Sequence, residues 1–126
     1  MRKKISKFEK LRNEADKLWA EVVMRRYDNK CFVCGKQAIS AHHFIPKQQS
    51  AFLRYDLENG IPLCRSCHFQ IHWKSDPIFP LIIAFKKGKA WVEYLAQRKH
   101  KPITINIQWL EKQIQKLKDE KSKNTN

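Results

Sequence analysis

The chain lacks a long apolar run. Its longest, PIFPLIIAF over residues 77–85, is too short and too interrupted by proline to span a bilayer. The opening stretch, MRKKISKFEK, has bases with no apolar segment behind them and does not read as a secretory leader. A soluble, cytoplasmic protein without membrane partners is the expectation. Internal repeats and low-complexity tracts are also missing, which excludes a solenoid or a disordered linker protein. Acids are scarce: 12 Asp and Glu face 26 Lys and Arg, for a formal net charge of +14. Residues 1–30 hold ten bases against five acids, 31–75 five against two, and 76–126 eleven against five, so the excess is spread along the chain. Such a balance points to a polyanionic partner, above all nucleic acid, because phosphate neutralisation releases counterions. The alternative is a solvated basic surface.

Cysteine occurs four times, and in a reducing compartment it needs a reason other than disulfides. The four form two knuckles, CFVC (31–34) and CRSC (64–67), with 29 residues between them. Paired CxxC motifs indicate one tetrahedral Zn²⁺ held by Cys31, Cys34, Cys64 and Cys67. Four thiolates leave no open position, so this zinc would be structural. It would tie the two knuckles together and bring the residues after the first close to those after the second.

The 126 residues suit one small domain with extensions. Ile5, Phe8, Leu11, Ala15, Leu18 and Val22 recur at steps of three and four, predicting a helix over 5–26. The segment from Cys31 to His72 reads as two short strands with a loop between them, followed by a short helix. Ser75-Asp76-Pro77 predicts the start of another helix, and Lys86-Lys87-Gly88 its end. KAWVEYLAQRKH resumes as helix, a last helix covers about 106–120, and the tail EKSKNTN is expected to fray. The expectation is an α+β fold with extensions at 1–28 and 76–126 around a core at 29–75.

Four of the five histidines lie within that core. His42 and His43 are adjacent in AHHFIPK, and neighbours on an extended segment point to opposite sides, so they should serve different purposes. His68 and His72 are four apart, which on a helix puts both imidazoles on one face, suited to a shared metal. The alternative for His72 is a plain surface histidine.

AHHFIPK followed by LENGIPLCRSCH resembles the HNH motif of the ββα-metal (His-Me finger) endonucleases, in their four-cysteine form. The resemblance covers residues 31–72. It implies a small zinc-braced ββα-metal core flanked by N- and C-terminal helices. It implies that His43 is the general base, that Asn59 holds the loop and orients that base, and that His42 and His68 bind the catalytic metal. The double-histidine members, such as the colicin-type DNases, use a further ligand that matches His72. The implied reaction is hydrolysis of DNA phosphodiesters to 5′-phosphate and 3′-hydroxyl ends. With His42 where many relatives carry Asp, the metal site is rich in nitrogen, favouring Mn²⁺, Ni²⁺, Co²⁺ or Zn²⁺ over Mg²⁺.

Lys47, Arg54, Arg65 and Lys74 within the core are candidate DNA contacts. So are Lys86, Lys87 and Lys89 behind it, which cluster in sequence with Arg98, Lys99, Lys101, Trp91 and Tyr94. The alternative makes Trp91, Tyr94 and Leu95 core and the lysines a wet face. The arrangement of helices around the core also resembles phage recombination nucleases of the Rap type. That likeness implies branched DNA as substrate and a homodimer, with the terminal helices forming the interface or packing on the core. Rival readings are a zinc-braced DNA-binding module without cleavage, and a phage packaging accessory acting beside a terminase.

Overall fold

The computed structural model describes residues 4–123. Helix α1 spans Lys7–Arg26, strand β1 Ser40–His43, a 3-10 turn Leu57–Asn59, and strand β2 Gly60–Leu63. Helices α2 (Arg65–His72), α3 (Ile78–Lys87), α4 (Lys89–Arg98) and α5 (Ile107–Lys123) follow. The fold is α+β. Among the described residues no helix is long and apolar enough to cross a membrane.

Helix α1 begins where Ser6 caps it, its hydroxyl accepting from the Glu9 N–H at 3.2 Å. It stops at Asp28 and Asn29, which take φ of 54° and 58°, a conformation that short polar side chains tolerate. Its buried residues are Ala15, Trp19, Val22 and Val23, so the apolar face includes Trp19 and Val23, which the predicted stripe omitted. Ile5 lies before the helix and is exposed.

Strands β1 and β2 pair antiparallel, with His42 opposite Ile61 and His43 opposite Gly60. Alternation then sends the two histidines to opposite faces. Helix α2 covers the His42 face and α1 the His43 face. Gly60 makes the second contact feasible. A Cβ there would lie 2.3 Å from Val23 Cγ2 and 3.0 Å from Trp19 Cζ2, so only glycine lets α1 settle on the hairpin.

Two apolar cores result. One gathers Cys31, Leu53, Ile61, Leu63, Ile83, Trp91 and Leu95 between the knuckles, α3 and α4. The other joins α1 to α5 through Ala15, Trp19, Leu110, Ile114 and Leu117. The stripes of the terminal helices therefore pack on each other within the chain. Lys121 reaches Glu21 at 2.7 Å across this seam, and α5 stays helical to Lys123. That corrects the expectation of a frayed tail for Glu120–Lys123; residues 124–126 lie outside the described part. The start of α3 follows its signal: the Asp76 carboxylate accepts from the Ile78 N–H at 3.0 Å, and Gly88, with φ of 97°, separates α3 from α4.

Candidate active site

The four cysteine sulfurs lie within 4.8 Å of one another, and those of Cys34 and Cys64 are 3.5 Å apart. A tetrahedral zinc with bonds of about 2.3 Å needs sulfurs roughly 3.8 Å apart, so the set fits one ion. Burial raises the Cys31 thiol, but backbone N–H groups at Cys64, Cys34 and Val33 outweigh it and bring it down to about 7. Burial and the neighbouring sulfurs push Cys67 up. Crowded sulfurs of this kind are relieved by a shared cation. Cys64 also caps α2, its sulfur accepting from the Cys67 N–H at 3.4 Å, so the second knuckle and the start of the histidine helix are one turn of chain.

On α2, His68 and His72 present rings 4.8 Å apart, centroid to centroid. His42, from β1, lies 6.5 Å from His68 and 6.3 Å from His72. Three imidazoles bound to one ion at about 2.1 Å would place their centroids roughly 5 Å apart. Among the described residues only the four cysteines bring their ligand atoms within 4.8 Å of one another; the three imidazoles share one side of the hairpin at wider spacing. Burial, then the neighbouring His68 and His72, lowers the His42 pKa to about 4, and burial lowers that of His68. Both are neutral at pH 7, the form that ligates metal.

On the other face of β1, the His43 Nε2 lies 2.9 Å from the Arg54 carbonyl oxygen. A carbonyl only accepts, so Nε2 carries the hydrogen and the neutral ring has its lone pair at Nδ1. Burial lowers the His43 pKa, with the Arg54 carbonyl working the other way. Asn59 is fully buried. Its Oδ1 accepts from Ile45 N–H at 2.7 Å, and its Nδ2 donates to the carbonyls of Ile45 at 3.0 Å and Leu53 at 3.3 Å. It cannot touch a substrate. It clamps both ends of the loop between the strands, and Leu53 directly precedes the residue whose carbonyl meets His43.

Two residues of α1 complete this site, and the sequence reading passed over both. The Trp19 indole stacks on the His43 ring at 3.8 Å, with 7° between the planes. Its Nε1–H donates to the Asp56 carbonyl at 3.0 Å. Asp16 holds the Arg54 guanidinium through two hydrogen bonds, of 3.1 and 2.8 Å. Burial opposes the Arg54 charge, but Asp16 outweighs it and raises the Arg54 pKa. Helix α1 thus fixes the ring plane of His43 directly and its carbonyl partner through Arg54. An aromatic at the centre of a helix's apolar face was the available signal, but its partner was not readable.

The candidate DNA contacts divide. Lys47, Arg65 and Lys74 are exposed. Arg54 is engaged by Asp16. Lys86 donates to the Phe32 carbonyl at 2.6 Å and Lys87 to the Tyr27 hydroxyl, so both fold onto the first knuckle. Lys89 is exposed, 3.8 Å from Glu93. Trp91 is buried and donates to the Glu58 carbonyl at 2.7 Å, while the Tyr94 hydroxyl donates to Asp56 at 2.6 Å. Trp91 and Tyr94 therefore brace the turn that carries Asn59, the core alternative raised for them above.

Residues 31–74 match the family model of the HNH endonucleases. The central third of the chain is therefore similar to HNH nuclease domains, and the match leaves out α1 and the helices after α2. No curated protein and no solved structure matches the chain. The four-cysteine site lies within the matched segment, whereas α1, whose Trp19 stacks on His43, lies outside it.

Proposed function

We propose that the chain is a metal-dependent DNA endonuclease in which His43 is the general base and His42, His68 and His72 hold the catalytic cation. The observation that carries this reading is the division of labour across β1. Three imidazoles gather on one face, and one carbonyl-anchored imidazole stands on the other. When bound there, a divalent ion supplies Lewis acidity for the phosphate and the leaving oxygen. The protein's own residues do the rest. Arg54 O keeps the hydrogen on His43 Nε2, so Nδ1 takes the proton of the attacking water. Trp19 holds the ring plane, and Asn59 keeps the loop in register. Exposed Lys47, Arg65 and Lys74 offer charge to phosphates.

The ends produced are 5′-phosphate and 3′-hydroxyl, as the resemblance implies. An all-imidazole ligand set favours Mn²⁺, Ni²⁺, Co²⁺ or Zn²⁺ over Mg²⁺. The basic chain, whose opening stretch does not read as a secretory leader, is placed in the cytoplasm of a bacterial or phage-infected cell, and the resemblance adds a homodimer acting on branched DNA.

The test is cleavage of linear, nicked, flap and four-way-junction DNA by wild type and His43→Ala, with Mg²⁺, Mn²⁺ and Zn²⁺. Loss of about 10²–10⁴ in rate with DNA binding retained is expected for the variant. Wild-type cleavage by His43→Ala removes His43 from the mechanism. Binding by wild type without cleavage of any DNA favours the non-cleaving module.

A further inference from the structure

Helix α2 carries a second face that the nuclease chemistry leaves unused. Arg65, Phe69 and Trp73 follow one another at steps of four, so they form a stripe beside the face that bears His68 and His72. All three are exposed, Phe69 to 46% and Trp73 to 75%. By contrast Trp19 and Trp91 are buried. The main chain at Trp73 is fixed: its backbone N–H donates to the Phe69 carbonyl at 2.9 Å, and the Asp76 backbone N–H donates to the Gln70 carbonyl at 3.1 Å. Lys74 Nζ sits 5.9 Å from the Phe69 ring centroid.

We propose that this stripe is a stacking platform for an unpaired DNA base next to the scissile phosphate, making DNA with bulged or displaced bases the preferred substrate. The location of the scissile phosphate rests on the nuclease reading; the platform itself does not. Charge selects the occupant. Arg65 and Lys74 flank the two rings, and the nearest acid in sequence, Asp76, has its carboxylate accepting from the Ile78 N–H, so the charge beside the rings suits a polyanion. A second copy in a symmetric pair would set this patch against itself, cation to cation, in a chain of net charge +14. A DNA base offers a flat apolar face together with a phosphate. In an intact duplex those faces are already covered by neighbouring bases, whereas an unpaired base is free to stack on an indole.

The experiment measures binding of labelled DNA by anisotropy, in a His43→Ala background so that no cutting intervenes. The probes are a short duplex and the same duplex with an unpaired bulge. Stacking is worth about 1–3 kcal/mol per base, so Trp73→Ala is expected to weaken binding to bulged DNA roughly five- to a hundred-fold. Plain duplex binding should be unchanged, and Trp73→Phe should keep most of the bulge affinity. Equal losses on both DNAs, or none, overturn the platform. So does a Trp73→Ala variant that merely splits a dimer in sedimentation. Wild type that binds bulged DNA through Trp73 but cuts nothing ends the nuclease reading and leaves the platform. A nuclease indifferent to Trp73→Ala does the reverse.

Discussion

Replacing Trp19 separates the support of the site from the support of the fold. The indole is 2% exposed, so it does not meet DNA. It stacks on His43 at 3.8 Å and donates to the Asp56 carbonyl. Truncating a buried Trp to Ala costs about 3–5 kcal/mol, and leucine refills part of the volume, so Trp19→Leu should lose roughly 2–3 kcal/mol. A domain with the usual stability of about 5–15 kcal/mol survives that loss. Leucine offers no flat face to His43, however. A base displaced by about an ångström can cost up to ~10²-fold in rate. Trp19→Phe keeps an aromatic face and gives up the Nε1 hydrogen bond. Single-turnover cleavage, read below the melting temperature of each variant, should show kcat down ten- to a hundred-fold (order of magnitude) for Trp19→Leu with KM unchanged. Trp19→Phe should restore most of the kcat even where its melting temperature stays low. Equal kcat for the leucine variant and wild type, both folded, would refute the positioning argument.

Three further outcomes follow from the same packing. Gly60→Ala places a Cβ 2.3 Å from Val23 Cγ2, so overpacking should cost about 1–3 kcal/mol and cleavage should fall with it; an unchanged thermal midpoint contradicts this. Asn59→Ala strands the Ile45 N–H and two carbonyls in a dry site. The cost is about 1–3 kcal/mol per group, and urea unfolding should report it together with fast hydrogen exchange at the Ile45 amide; slow exchange there would show that the clamp is dispensable. Stripping the cysteine site with a chelator should melt the hairpin and α2, with recovery on adding Zn²⁺, because Cys64 caps α2 and would also bind the ion. A metal-free protein with the wild-type melt would place the cysteines outside the folding free energy.

Local rules and global packing divide what the sequence discloses. The paired CxxC knuckles and the opposite directions of His42 and His43 are local properties, set by thiolate chemistry and strand alternation, and both are readable. The four-residue step from His68 to His72 is equally local. Trp19 against His43 is not, because α1 must first cross the hairpin at Gly60. Arg54 read as a free cation until Asp16, 38 positions earlier, came beside it. Composition likewise does not record that α3 turns Lys86 and Lys87 onto Phe32 and Tyr27. The tail of α5 meets Glu21, a hundred positions earlier in the chain, through Lys121. Trp73 stands next to His72 in the sequence, but its exposure depends on how α2 lies against β1.

The proposed function depends on a cation binding among His42, His68 and His72, separate from any ion at the cysteines. Native mass spectrometry of the full chain titrated with Mn²⁺ or Zn²⁺ tests this directly. Wild type should take up one more ion than His68→Ala, while both keep the cysteine-bound zinc. The same ion count in the two proteins would contradict the account.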